Sequence, residues 1–193
     1  MTRSLVLGAV LGGVVAFIWT AVSWMVLPWH NSHMKSFTNE AAVAQVILDN
    51  APSGGMFAIP GMPAGYDSMT QAQKDSCMAA TTQKMAAGPF FYGVVWRGVK
   101  EDMGRQMGAA VLFDILAALL LTMLVMKTGG MSWAGRVMFI VTAALAVCLI
   151  AIAPNWIWWR HPSGYVIVSM ADVLIAWTLA GMVIAKVAAP KAA

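Results

Sequence analysis

The sequence predicts an all-α membrane protein, a four-transmembrane-helix bundle with a small α+β cap inserted between helices 1 and 2. Of its 193 residues, 60% are hydrophobic and only 10% are charged, whereas an average soluble domain has about 25% charged residues. The apolar residues are concentrated in four long runs. A more polar segment, too long for a simple connection, separates the first two runs. This composition excludes a soluble enzyme domain, a disordered chain and a nucleic-acid-binding module.

The four apolar runs have the length of membrane spans, since an α-helix needs ~20 residues to cross ~30 Å of hydrocarbon. Trp residues near the ends of several runs fit the aromatic belts of the two membrane interfaces. A signal peptide is the alternative for the first run, because Arg3 precedes it, but the length of the run favours a retained anchor. The predicted spans are Leu5 to Leu27, about Met107 to Met126, about Val137 to Ala153, and Tyr165 to Ala185.

The distribution of charge predicts the orientation. Four spans place both termini and the turn between spans two and three on one side. The positive-inside rule makes that side cytoplasmic, because it holds basic residues and no acidic ones, namely Arg3, Lys127, Arg136, Lys186 and Lys191. In a bacterium the cap is then periplasmic and the protein lies in the inner membrane. The expected parts are residues 1–27 with the first span, the cap over 28–105, and residues 106–193 with the other three spans.

The cap has helix and strand signals of its own. Thr38 can cap its first helix, and Ser68 or Thr70 can cap its second. Two short runs rich in β-branched or aromatic residues indicate strands, which we expect to pair. The predicted elements are a helix that stops at Asn50, a strand over Gly55–Pro60, a helix from about Met69 to Ala86, and a strand over Pro89–Trp96.

Several short motifs resemble an uncharacterised set of small four-span bacterial inner-membrane proteins. These motifs span nearly the whole chain. The resemblance implies the four-span topology and carries no particular chemistry. The motifs are Pro28-Trp29-His30, Ser36-Phe37, Ala51-Pro52, Gly88-Pro89-Phe90, Gly164-Tyr165, and the acids Asp114 and Asp172.

Two acidic residues interrupt the apolar runs, Asp114 in the second span and Asp172 in the fourth. Each lies about eight residues from the outer end of its span, or ~12 Å deep at ~1.5 Å per residue. Intramembrane carboxylates usually face a partner or a water-filled cavity. We therefore expect an intramembrane polar pair, which is either a structural link bonded by nearby Ser, Thr or Trp side chains or a proton or cation relay.

All three histidines lie near the outer membrane face. His30 and His33 follow the first span, and His161 precedes the fourth. Neutral imidazoles bind zinc and copper ions, so these three residues are a candidate metal site. The alternative is that amphipathic histidines simply favour the interface. The sequence predicts no other cofactor.

Two further features could bind ligands or pack helices. Trp158, Trp159 and Arg160 place a cation beside indole faces, which suits an anion, a quinone or a lipid headgroup, or else an interfacial anchor. Gly8 and Gly12 form a G-x-x-x-G motif, which lets helix backbones approach closely. We expect another span of the same chain to be the partner of these glycines.

The sequence lacks the Walker, G-x-S-x-G, H-E-x-x-H, C-x-x-C-H and Rossmann motifs. We therefore expect a non-enzymatic accessory or scaffolding subunit of a membrane complex. Its expected partners are membrane lipids and other subunits or further copies of itself. The alternative is a small proton-, cation- or metal-handling protein that uses Asp114, Asp172 and the outer-face histidines.

Overall fold

The computed structural model describes residues 2–188, which are mostly helical with one small sheet. They form two compact units, one that extends to Lys35 and resumes at Asp102, and one over Ser36–Glu101. A π-helical segment, Cys148–Ile152, joins the helices Trp133–Val147 and Ala153–Ile157. In chain order the elements are α1 (Thr2–Met25), α2 (Glu40–Asn50), β1 (Gly55–Ile59), α3 (Gln71–Ala87), β2 (Phe91–Val95), α4 (Met103–Val125), α5 (Trp133–Val147), α6 (Ala153–Ile157) and α7 (Ser163–Val187).

Four helices are long and apolar enough to cross a membrane, each of 23 to 25 residues. They are α1, α4, the continuous helix Trp133–Ile157, and α7, and they support a multi-pass membrane protein. Their ends differ from the prediction by a few residues. For example, α4 begins at Met103 because the Asp102 carboxylate accepts a hydrogen bond from the backbone N–H of Arg105 at 3.0 Å.

The third span continues past its predicted end at Ala153 to Ile157. Pro154 has no N–H and cannot make the α-helical hydrogen bond to the residue four positions earlier. The preceding turn is π-helical, and the N–H of Ala153 donates to the carbonyl of Cys148, five residues back. This wider turn carries the helix through the proline.

The first span packs against both α4 and α7, and α5 also packs against α7. Gly8 lies against Thr122 of α4, and Gly12 lies against Ile184 of α7. A side chain at either glycine would overlap these neighbours, so both glycines allow close contact within one chain. The core of the bundle consists of Ala118, Val125, Ile140, Ile184 and Ala188.

The Ser36–Glu101 unit contains the two predicted helices and the two predicted strands. The strands pair as predicted, and the structure shows that they are antiparallel, with Gly55 opposite Val95 and Ile59 opposite Phe91. The predicted Thr38 cap of α2 is wrong, because the side chain of Asn39, the next residue, accepts the hydrogen bond from the N–H of Ala42.

Of the two predicted caps for α3, Thr70 is the one observed. Its hydroxyl accepts from the N–H of Gln73, and the Gln73 side chain accepts from the N–H of Thr70, which makes a reciprocal capping box. The helix ends at Gly88, whose φ of 71° is a backbone conformation that suits glycine.

Candidate functional site

Asp172 of α7 is buried among residues of α1 and of the segment that follows it. Its Oδ1 atom accepts a hydrogen bond of 2.6 Å from the indole N–H of Trp19. Its Oδ2 atom lies 3.3 Å from Nε2 of His30. Both carboxylate oxygens therefore have partners, and Asp172 links α1 to α7 inside the bundle.

The end of α1 explains how His30 reaches this position. The helix stops at Met25 and the chain turns at Pro28 into a short 3-10 helix over Asn31–His33. The indole N–H of Trp29 donates back to the hydroxyl of Ser23 at 2.9 Å and to the carbonyl of Ser23 at 3.2 Å. These bonds fold the chain back along the last turn of α1, so that His30 lies beside residues that precede it by six or seven positions.

The imidazole of His30 is enclosed, with an exposed fraction of 1%. It stacks on the indole of Trp24 with 3.9 Å between ring centroids and an interplanar angle of 7°. The ring of Trp29 lies edge-on to it at 5.6 Å. Nε2 has a second oxygen nearby, Oγ of Ser23 at 3.0 Å. Nδ1 is buried and has no hydrogen-bond partner among residues 2–188.

The cluster contains Ser23, His30 and Asp172, but its geometry is not that of a hydrolase triad. In a triad the serine contacts one imidazole nitrogen and the carboxylate contacts the other. Here both the hydroxyl of Ser23 and the carboxylate of Asp172 lie at Nε2. Ser23 is also fully buried. The arrangement does not have the geometry that nucleophilic attack by a serine requires.

Asp114 does not take part in the observed contacts of Asp172, whose two oxygens face Trp19 and His30. Asp114 lies in α4 and is half-buried. Within the described residues it has no side-chain hydrogen bond or ion pair. Of the partners that the sequence suggests for an intramembrane acid, a Trp indole is observed at Asp172, together with a histidine that the sequence places outside the membrane.

The three histidines have different surroundings. His30 lies at Asp172, His33 lies over Gly164 where there is no room for a side chain, and the ring of His161 lies edge-on to Tyr165. Among residues 2–188, no group of three or more His, Cys, Asp or Glu side chains is placed to bind a metal ion. The structure therefore does not bring the three histidines together as a ligand set for zinc or copper.

The predicted Trp158, Trp159 and Arg160 follow the end of α6 and are exposed. Arg160 has a φ of 56°, a left-handed conformation that few residues other than glycine adopt. It turns the chain from α6 into α7 and lines an open cavity of about 510 Å³ with Trp156 and His161. A ligand at Arg160 stays a prediction.

Sequence reasoning suggests a Trp partner for the acid without singling out Trp19, and it misses the stacking of Trp24 on His30. One signal could have found them. Trp19, Ser23 and Trp24 lie within the last two turns of α1, directly before the Pro28-Trp29-His30 motif. A proline shortly after a helical run indicates the end of the helix and a turn of the chain.

The Ser36–Glu101 unit has a separate notable surface on its sheet. Met56 and Val94 are cross-strand partners on one face, with exposed fractions of 63% and 58%. Tyr92 lies on the same face, and its hydroxyl donates to the Met56 sulfur at 3.6 Å. We call Met56, Tyr92 and Val94 the open face of the sheet.

Comparisons with protein-family models, with curated proteins and with solved structures find no match to this chain.

Proposed function

We propose that this protein is an accessory subunit of a bacterial inner-membrane complex, with cytoplasmic termini, that presents its Ser36–Glu101 unit to a partner protein in the periplasm. The observation that carries the proposal is the small core of this unit. All of its residues are described, and Ala51 and Val95 are the only hydrophobic side chains among them that are buried. Neither α2 nor α3 contains a buried residue.

A unit of this size needs more buried apolar area than two small side chains supply. Small domains are marginally stable even with a complete core, and a two-stranded sheet alone is unstable in water. The unit is tied together by polar contacts such as those from the Arg97 guanidinium to the carbonyls of Leu48 and Ala51, each at 3.0 Å. Exposed apolar surface of this kind marks an interaction site.

The sheet supports a protein as the partner rather than lipid. Within this unit, all of which is described, the sheet consists of β1 and β2 alone. Each strand therefore has one edge that is not paired with another strand. An extended protein segment can add to such an edge through backbone hydrogen bonds, while its side chains cover the open face. Lipid acyl chains offer no backbone donors and acceptors.

The test isolates the full chain from native membranes in lipid nanodiscs and measures the masses of the intact complexes. The variant Met56→Lys/Val94→Lys places charge on the open face. Met78→Lys is the matched control, because Met78 of α3 has a similar exposed fraction of 55%. We expect a stoichiometric partner with the native protein and the control, and its loss from the double variant.

Three results would overturn the proposal. The native protein could be isolated with lipid alone, its mass could be a multiple of this chain alone, or the partner could bind the double variant as strongly as the control. Slower amide exchange in β1 and β2 when the partner is bound would locate the interface at the sheet.

A second candidate function is proton or cation handling, which one specific observation favours. Asp172 and His30 lie together inside the bundle, and intramembrane ionisable residues commonly serve ion pathways. The measurement is proton and sodium flux into liposomes that hold the full chain. We expect Asp172→Asn to abolish the flux and Asp114→Asn to retain it. Flux equal to that of empty liposomes would exclude this second function.

A further inference from the structure

We propose that His30 and Asp172 together form a binding site for a single proton, with Nδ1 of His30 as the atom that exchanges it. The inference is independent of the docking function proposed above, and it requires no transport across the membrane. It rests on two contacts, the 3.3 Å approach of Nε2 to Oδ2 and the buried, unpartnered Nδ1 atom.

The hydrogen bonds determine where hydrogen atoms can lie. The indole N–H groups of Trp19 and Trp29 only donate, so Oδ1 of Asp172 and Oγ of Ser23 act as acceptors. Oδ2 of an ionised Asp172 requires a donor, and the nearest is Nε2–H of His30. With Nε2 protonated, the remaining site on the imidazole is Nδ1. The pair therefore has two states. In the loaded state Nδ1 carries a hydrogen, and in the unloaded state it does not.

The net charge of the pair differs between these two states. With a bare Nδ1, a neutral imidazole faces a carboxylate, and the pair has a charge of −1. When a proton from water binds Nδ1, an imidazolium faces the carboxylate and the pair is neutral. An uncompensated charge among membrane-spanning helices is costly, and the bound proton removes that net charge from the pair.

The hydrogen-bond and ring-stacking partners of the pair are neutral side chains. From α1, the contacts come from Trp19, Ser23 and Trp24, and Trp29 follows from the same segment. Within residues 2–188, no hydrogen bond or ion pair joins another titratable side chain to His30 or Asp172. The stacked indole of Trp24 stabilises an imidazolium more than a neutral imidazole, because its face attracts a cation.

Proton binding has a structural consequence for the segment that leads from α1 into the Ser36–Glu101 unit. In the loaded state, opposite charges hold His30 to α7, and in the unloaded state a neutral imidazole donates a hydrogen bond to the carboxylate. The imidazolium adds the attraction between opposite charges to that hydrogen bond. The residues around His30 are therefore held more firmly at lower pH.

The chain offers a direct test, because it contains only three histidines. The variant His33→Gln/His161→Gln leaves His30 as the single histidine, and ¹⁵N labelling of histidine then reports both ring nitrogens of His30 in nanodiscs. Between about pH 8 and pH 5, we expect the ring to pass from singly to doubly protonated. Adding Asp172→Asn removes the compensating charge, and we expect the ring to remain singly protonated over the same range.

A ring that stays singly protonated throughout while Asp172 is present would overturn the proposal, as would an identical titration with Asn at position 172. If the Asp172→Asn protein does not fold, amide exchange provides the second test in the His33→Gln/His161→Gln protein. After correction for the intrinsic rate, the amide exchange rate of residues 28–34 should fall about twofold or more from pH 8 to pH 5. A corrected rate that does not change with pH would exclude the site. Trp24→Phe, which keeps a ring beside His30, is the control for folding.

Discussion

The bundle and the Ser36–Glu101 unit differ in how they are held together. In the bundle, residues far apart in the sequence meet at small or polar side chains, as Gly12 does with Ile184 and Trp19 with Asp172. In the Ser36–Glu101 unit, many side-chain hydrogen bonds are local, such as those within three or four residues at the start of α3.

This difference indicates which of the two units is stabilised by its own buried contacts. The bundle contains buried side chains from three of its spans in one cluster, and its buried Asp172 bonds to Trp19 of another helix. The other unit has its secondary structure and its sheet, but little buried apolar area. We expect substitutions at buried contacts to destabilise the whole bundle, and substitutions at local contacts to loosen only the element that contains them.

The largest expected effect comes from Asp172→Leu. The substitution leaves the indole N–H of Trp19 without its acceptor and removes one of the two oxygens at Nε2 of His30. Breaking a buried pair costs about 3–5 kcal/mol. The free energy of unfolding, measured by SDS titration in detergent micelles, should fall by that amount. The matched control is Asp114→Leu, which should not lower stability. An equal loss in both variants would show that the contacts of Asp172 are not what stabilises the bundle.

We expect Gly13→Ala and Gly108→Ala to change the stability of the bundle by smaller amounts and in opposite directions. A Cβ atom at Gly13 would lie 2.6 Å from the Cα atom of Ile115 in α4, whereas one at Gly108 would have no neighbour within 4 Å. Overpacking at Gly13 should destabilise the bundle by about 1–3 kcal/mol. The change at Gly108 should stabilise it by about 0.5–1 kcal/mol, because alanine favours the helix. The same SDS titration measures both variants. Equal changes in their free energy of unfolding would contradict the close packing of α1 on α4.

The smallest effect is expected in the other unit, from Thr70→Ala. Loss of this N-cap costs about 1 kcal/mol, and amide exchange should accelerate about fivefold in the first turn of α3 only. Thr82→Ala within the same helix is the control, since the Thr82 hydroxyl only donates to the carbonyl of Met78. Faster exchange that spreads into β1 and β2 would mean that this unit unfolds as a whole, contrary to the comparison.

The sequence predicts the four long helices because their length and apolar content are local properties that need no knowledge of neighbours. The pairing of β1 with β2 follows equally from two short strand signals. Exact caps are harder to predict, since Thr38 and Asn39 are adjacent residues that can both accept the capping hydrogen bond, and only the backbone at Asn39 places its side chain at Ala42.

The candidate site could be predicted only in part. Asp172 stands out because an acid in an apolar run needs a partner, but the sequence suggests Asp114, which occupies a similar depth. The observed partner, His30, depends on the reversal of the chain after Pro28. Hydropathy assigns His30 to the polar segment, because it measures the composition of a segment and not the path of the chain through space.

The π-helical turn at Cys148–Ile152 has a consequence for the end of the third span. Each residue of an α-helix advances the chain by about 100° around the helix axis. Removing one residue from this turn would restore the regular helical repeat and rotate everything after it by that angle. The number of residues before Pro154 thus determines the direction in which Trp156 and the residues after it face. An insertion or deletion in this turn would therefore reorient the aromatic end of the span more than any substitution within it.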